Sequence, residues 1–181
     1  MTTTFGEVTR RGDRFDLDFE RVYATTVEDV WSAVTEPERL ARWMSRYTGD
    51  LRLGGRWQGM ESGGTVYCSG TVTACDPPRR YVTTWEYAGE GPSAVEVTVA
   101  PHPEGAVLSL RHTGLVDVDY GPGWQTYLEQ LDGDLPVAPS SVVDPERPEG
   151  IAWDERFTAL RPRWEPRIAQ ARGAATRVDA V

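Results

Sequence analysis

Residues 49–113 are short runs of alternating apolar and polar residues separated by Gly and Pro, and this pattern constrains the fold most strongly. In one run, for example, Val95, Val97 and Val99 alternate with Glu96 and Thr98. Alternation with period two predicts half-buried strands, and closely spaced turn residues favour antiparallel neighbours. The pattern predicts strands near residues 50–53, 56–61, 65–75, 80–88, 94–100 and 106–113.

One further strand and two helices are predicted before this region. The strand begins at Phe15, where apolar and acidic residues alternate strictly. Thr26 suits a helix N-cap with Asp29 in the capping-box position, and Pro37 suits the first turn of a second short helix. Residues 1–14 are polar and rich in Gly and Arg, so we expect a flexible lead-in.

A long amphipathic helix is predicted to follow the strands. Gly121 to Gly123 open it, and Trp124, Leu128, Leu131 and Leu135 recur at helical spacing along one face. Residues 136–150 are rich in proline and predict an extended linker.

The segment 151–181 is expected to be a helical extension with a disordered tail from residue 173. Its apolar residues recur at near-helical spacing, but Pro162 and Pro166 interrupt them. Interior prolines break helices, so we expect short helical pieces rather than one rod. Trp153, Phe157 and Trp164 would cover either the domain's own surface or a partner subunit.

This order of elements predicts an α+β fold of one domain over residues 15–135, with helices segregated to one face of the sheet. A strongly bent antiparallel sheet of seven strands cannot fill its own concave side. The long helix would close that side and leave a cavity beneath it.

Charge and composition exclude several classes of function. The net charge of −9 disfavours a nucleic-acid partner, and no basic cluster suggests a membrane surface. The chain contains no lysine, which excludes Schiff-base catalysis and a phosphate-binding P-loop. Two Cys and two His without ligand spacing predict no zinc site, and we expect no cofactor. No apolar run is typical of a signal peptide or a membrane span, so we expect a cytoplasmic protein.

Several motifs together resemble the activator-of-heat-shock-ATPase homologues of the START-like SRPBCC superfamily. They are Val30–Leu40 with Trp43-Met44, Gly54–Trp57, Gly70–Val72 leading to Asp76–Arg80, Thr84-Trp85, and His112–Gly114 with Gly123-Trp124, Leu128 and Leu131. The resemblance implies a helix-grip fold with a pocket between the sheet and the long helix. It leaves activity open, because the superfamily holds lipid carriers, hormone receptors, cyclases and oxygenase subunits.

The predicted ligand-binding residues lie on the apolar strand faces and on the inner face of the long helix. They are Trp57, Cys68, Trp85, Tyr87, Val97, Leu110, His112, Trp124, Tyr127, Leu128 and Leu131. Aromatic walls of this kind suit a planar apolar guest.

Two residues are candidates for catalysis, each with a structural alternative. His112 could bind or deprotonate a ligand, or it could be a buried histidine satisfied by its neighbours. Glu61 could be a carboxylate in the cavity paired with Arg21, or both residues could reach water at strand ends.

Three functions follow from these features. The first is binding of a small hydrophobic or aromatic molecule. The second is a cyclase- or dehydratase-like enzyme that uses His112 with Glu61 or a tyrosine. The third is a co-chaperone-like or self-associating module, such as a homodimer, that uses the C-terminal aromatic residues.

Overall fold

A curved antiparallel sheet, packed against a long helix, organises the residues that the computed structural model describes, which are 5–87, 89–117 and 119–174. The elements are β1 (Glu7–Arg11), β2 (Arg14–Tyr23), α1 (Val27–Thr35), α2 (Pro37–Trp43), β3 (Arg46–Gly49), β4 (Arg56–Met60), β5 (Val66–Asp76), β6 (Arg80–Tyr87), β7 (Ser93–His102), β8 (Gly105–Leu115), α3 (Tyr120–Asp134) and α4 (Trp153–Ala174). The strand order is β1-β2-β8-β7-β6-β5-β4-β3. The predicted α+β helix-grip architecture is confirmed, with eight strands rather than seven among the described residues.

The additional strand is β1, which lies where a flexible lead-in was expected. It pairs with β2 through a two-residue turn, and the positive φ of Gly12 in that turn suits a II′-type hairpin. Only Val8 in this strand is apolar, so its sequence carries no alternation. Backbone pairing along the sheet edge forms the strand, which explains why periodicity did not reveal it.

The first strand of the central region is also displaced from its prediction. It spans Arg46–Gly49 rather than residues 50–53, and residues 50–55 form the connection to β4. The Asp50 amide donates to the Arg56 carbonyl, which closes this connection. Leu51 and Leu53 alternate with Arg52 as strand residues do, but Leu53 is exposed on a glycine-containing turn.

Helices α1 and α2 begin at the positions that Thr26 and Pro37 predicted. The Thr26 hydroxyl accepts a hydrogen bond from the Asp29 amide, and Pro37 is the first residue of α2. The Trp43 indole N–H donates to the Ala33 carbonyl at 2.9 Å, so the second helix is fixed against the first.

The proline-rich segment 136–150 docks against the domain. Its residue Val137 bridges to Tyr23 of β2, and the Val22 amide donates to the Ser141 hydroxyl at 3.1 Å. Asp144 is buried in the same segment. These contacts place the start of α4 next to α3.

Helix α4 is a single helix of 22 residues, so the prediction of short helical pieces was wrong. Leu160, Trp164 and Ile168 are buried at intervals of four, whereas Pro162 and Pro166 are exposed. An interior proline costs about 3 kcal/mol, and each buried apolar side chain contributes about 1.5–3 kcal/mol. Burial of one complete face therefore outweighs the two missing hydrogen bonds. The helix includes residues 173 and 174, and the rest of the predicted disordered tail lies outside the described residues.

Candidate functional site

A cleft of about 1350 Å³ opens between the first half of α3, the β4–β5 connection and the start of α4. Aromatic side chains form much of its wall; they are Tyr67, Trp85, Tyr87, Tyr120, Trp124, Tyr127, Trp153 and Phe157. The long helix places Tyr120, Trp124 and Tyr127 along this wall at intervals of three and four residues.

These rings form a continuous ladder from the sheet to the C-terminal helix. The centroids of Trp85 and Trp124 lie 5.5 Å apart, and Trp124 contacts Tyr127 edge-on at 6.3 Å. Tyr127 lies 5.3 Å from Trp153, which stacks on Phe157 at 5.0 Å with 12° between the planes. A planar guest in this cleft would meet aromatic faces and edges of the kind that aromatic pairs prefer.

The space beneath the middle of α3 is nearly full, contrary to the predicted hollow there. An internal cavity between the sheet and the helices measures only about 30 Å³, and it is bordered by Trp57, Val97, Leu110 and Trp124 among others. Leu128 and Leu131 are buried in the core at 1% and 0% exposure. Three large indoles, of Trp57, Trp85 and Trp124, take up the concave side, so the accessible volume lies at its open end.

The predicted ligand-binding residues therefore separate into two groups. Trp85, Tyr87, Trp124 and Tyr127 line the large cleft. The other residues lie in the filled interior or beside it; they are Trp57, Cys68, Val97, Leu110, His112, Leu128 and Leu131. Cys68 is buried as expected, and burial raises the pKa of its thiol to about 12.

His112 is fully buried and has a partner for each ring nitrogen. The Trp124 indole N–H donates to Nδ1 at 2.9 Å, and Nε2 lies 2.8 Å from the Ser93 hydroxyl. Burial lowers the pKa of His112 to about 3. This geometry matches the structural alternative for His112, because neither nitrogen is left to act on a substrate.

Glu61 and Arg21 do not form the pair that was considered. Glu61 is exposed just after β4 and lines the mouth of the cleft. Arg21 is buried at 2% exposure, and its Nε lies 3.6 Å from a carboxylate oxygen of Asp132 on α3. Sequence spacing gave no sign of this partner, because 111 residues separate the two positions.

Polar groups also line the cleft. The Tyr120 hydroxyl donates to the Glu90 carboxylate at 2.7 Å, and the Tyr67 hydroxyl lies 2.9 Å from that of Ser45. Burial, followed by the neighbouring Glu90, raises the pKa of Tyr120. Tyr120 is therefore a neutral hydrogen-bond donor near the aromatic wall.

Sequence reasoning missed the contribution of the C-terminal extension to this site. The helical spacing of Trp153 and Phe157 indicates that they share one face of a helix, but it does not say what that face packs against. Their docking against Tyr127 depends on the path of residues 136–150, which spacing does not predict. Sequence reasoning also missed Tyr67 near the start of β5, Tyr120 at the start of α3 and Glu90 in the β6–β7 connection.

No group of three or more His, Cys, Asp or Glu side chains within residues 5–87, 89–117 and 119–174 is arranged to hold a metal ion. No helix in the part of the chain that the structure describes is long and apolar enough to cross a membrane.

Solved structures with this architecture include two of CalU16 from Micromonospora echinospora. Its crystal structure is 27% identical with a TM-score of 0.70, covering 91% of this chain and 97% of that chain. Its solution structure is 28% identical with a TM-score of 0.68, covering 94% and 100%. An HSP90 activator from Plasmodium falciparum, 21% identical with a TM-score of 0.56 over 67% and 97%, shares the fold. No curated protein matches the chain significantly.

A family model covers more than half of the sequence. Residues 24–135 match the model of the activator of Hsp90 ATPase homolog 1-like proteins. The match runs from the turn before α1 to the end of α3 and so includes most of the sheet and one wall of the cleft. The chain therefore belongs to the Activator of Hsp90 ATPase homolog 1-like family.

Proposed function

We propose that this protein binds a small, largely aromatic molecule in the cleft walled by Trp85, Trp124 and Trp153. The observation that carries the proposal is the ladder of ring contacts that borders an open cleft of about 1350 Å³. Ligand sites are typically concave and mostly apolar, with a few polar groups that orient the guest. Tyr67, Tyr120 and Ser45 supply such groups here.

The side chains around the cleft support binding better than they support acid–base catalysis. A cyclase-type acid or base needs a titratable nitrogen or oxygen within hydrogen-bond reach of the substrate. Both nitrogens of His112 are occupied by Trp124 and Ser93, and burial disfavours its protonation. The proposed role therefore requires no covalent step.

Self-association through the C-terminal aromatic residues gains little support from their position. Trp164 is fully buried against the domain's own Phe19, and Trp153 stacks within the cleft wall. A homodimer and a cytoplasmic location remain predictions from the sequence.

Titration with a panel of planar aromatic compounds, followed by calorimetry, tests the proposal. We expect Trp153→Ala to weaken binding by about tenfold, because one aromatic contact contributes roughly 0.5–1.5 kcal/mol beyond the area it buries. Trp31→Ala is the matched control: Trp31 is also partly buried, but it packs on Tyr81, away from the cleft. Equal weakening by both variants, or no binding of any compound by the unaltered protein, would argue against the cleft as the site.

A further inference from the structure

The cleft carries an excess of negative charge. Five of its lining residues are acidic, namely Glu61, Glu90, Asp117, Asp119 and Asp154, whereas Arg46 is its one basic lining residue among those described. Asp119 has an external partner, since Arg161 approaches its carboxylate at 3.0 Å. Clefts lined by one sign of charge focus the field and raise the local concentration of ions of opposite charge.

A buried hydrogen-bond donor lies at the inner end of the same cleft. Trp85 is 6% exposed, and its indole N–H meets no acceptor in hydrogen-bonding geometry among the described residues. The Tyr120 hydroxyl lies near this N–H but outside hydrogen-bonding geometry, and it donates its own proton to Glu90. A buried indole N–H normally finds a partner, so an acceptor oxygen on a guest would complete this position.

Aromatic faces and carboxylates together suit one kind of ligand. An organic cation is attracted by the faces of Trp and Tyr rings, and the attraction grows when the cation is desolvated. Trp124, Tyr127 and Trp153 offer such rings within the same space as the carboxylates. A fatty acid or another anion would instead meet uncompensated like charge.

From this combination we infer that the cleft selects an aromatic cation: a planar apolar body that carries an amine or quaternary ammonium group and an acceptor oxygen. The inference rests on the proposed function and narrows its ligand class. The apolar body lies along the ring ladder, and the acceptor faces the Trp85 N–H. The cationic group lies toward Glu90 and Asp154, which also line the cleft.

Three probes that share one methoxynaphthylmethyl body, whose ether oxygen is the acceptor, test the charge selectivity by calorimetry. They carry a trimethylammonium group, the isosteric neutral tert-butyl group, or a carboxylate. We expect the cation to bind about tenfold more tightly than the neutral compound, and the anion to bind most weakly. Raising the salt concentration should weaken the binding of the cationic probe alone, because added ions screen the attraction between exposed charges.

Charge-neutralising variants locate the selectivity. The double variant Glu90→Gln, Asp154→Asn should lower the affinity for the cation by about tenfold. Its affinity for the neutral compound should stay within about twofold of the unaltered protein's. Glu20→Gln, at an exposed position of β2 outside the cleft, is the control and should change neither. If the neutral compound binds and the cation does not bind more tightly, the inferred charge selectivity is wrong, whereas the proposed binding function stands. If none of the three binds, it falls together with the proposed binding function.

Discussion

At the scale of single residues, His112 shows how burial decides a side chain's role. An indole N–H can only donate, so the bond from Trp124 requires Nδ1 to be an acceptor. The ring proton therefore lies on Nε2 and is donated to Ser93, whose hydroxyl donates to the Trp85 carbonyl at 3.2 Å. The chain of bonds leaves the neutral imidazole fully satisfied and positions one wall of the cleft.

We expect the His112 imidazole to stay neutral throughout pH 5–8, which ¹⁵N NMR of the ring nitrogens would show. Burial lowers its pKa to about 3, whereas an unfolded histidine titrates near 6.5. The unfolded state thus binds more protons between these values, and stability should fall as the pH drops below about 6.5. His112→Gln should remove this part of the pH dependence. Protonation of the folded imidazole between pH 5 and 7 would contradict the assignment.

At the scale of elements, the packing of α4 on α3 depends on a glycine. A Cβ added to Gly121 would lie 2.5 Å from a ring carbon of Trp164, so the indole covers the place where a side chain would project. The Trp164 N–H also donates to Gln125 at 2.8 Å. The two helices can approach this closely only because Gly121 presents bare backbone.

Gly121→Ala should therefore destabilise the protein by about 1–3 kcal/mol, the usual cost of overpacking a core. Gly133→Ala in the same helix is the matched control, since nothing lies within 4 Å of its added Cβ. That control should be neutral or stabilising by up to about 1 kcal/mol, because alanine favours helix. Urea denaturation of both variants measures the difference in their free energies of unfolding. Equal values would show that the Trp164 side chain can shift to make room without loss of stability.

At the scale of the whole molecule, a buried ionic network joins the C-terminal extension to the domain. Arg156 of α4 donates two hydrogen bonds to Glu129 of α3 and a third, at 2.7 Å, to Asp144. Arg163 also donates to Asp144. Removing one partner from such a network leaves buried charge uncompensated, which is costly.

Asp144→Asn should lower the free energy of unfolding by about 2 kcal/mol at pH 7, and the loss should shrink in acid. Burial raises the pKa of Asp144, but the hydrogen bonds from Arg163 and Arg156 outweigh it and hold the pKa at about 2. A depressed carboxyl pKa contributes stability above the unfolded value near 4, and that contribution is lost as the pH falls toward 2. Urea denaturation at pH 7, 4 and 3 follows the difference between variant and wild type. Asp13→Asn, exposed and outside the network, is the control, and a difference independent of pH would exclude the mechanism.

Local patterns in the sequence predicted most of the sheet and the three helices up to residue 134, and four of the residues that they named for a cavity beneath α3 line the cleft at its end instead. Strand alternation, the Thr26 cap and the apolar stripe of α3 depend only on residues close together in the chain, so they are visible in the sequence itself. The buried face of β8, with Leu108, Leu110 and His112, followed from parity alone. Resemblance to a family supplied the way in which these pieces assemble.

Tertiary structure decided the continuity of α4, the formation of β1 and the location of the cleft. The prolines of α4 indicated a break, but a complete buried face overrides them, and that burial exists only once α3 and the sheet are in place. The size of three tryptophan side chains fills the space beneath α3 and moves the accessible volume to its end. Volume and long-range pairing depend on residues that are distant in sequence, so the linear pattern could not determine them.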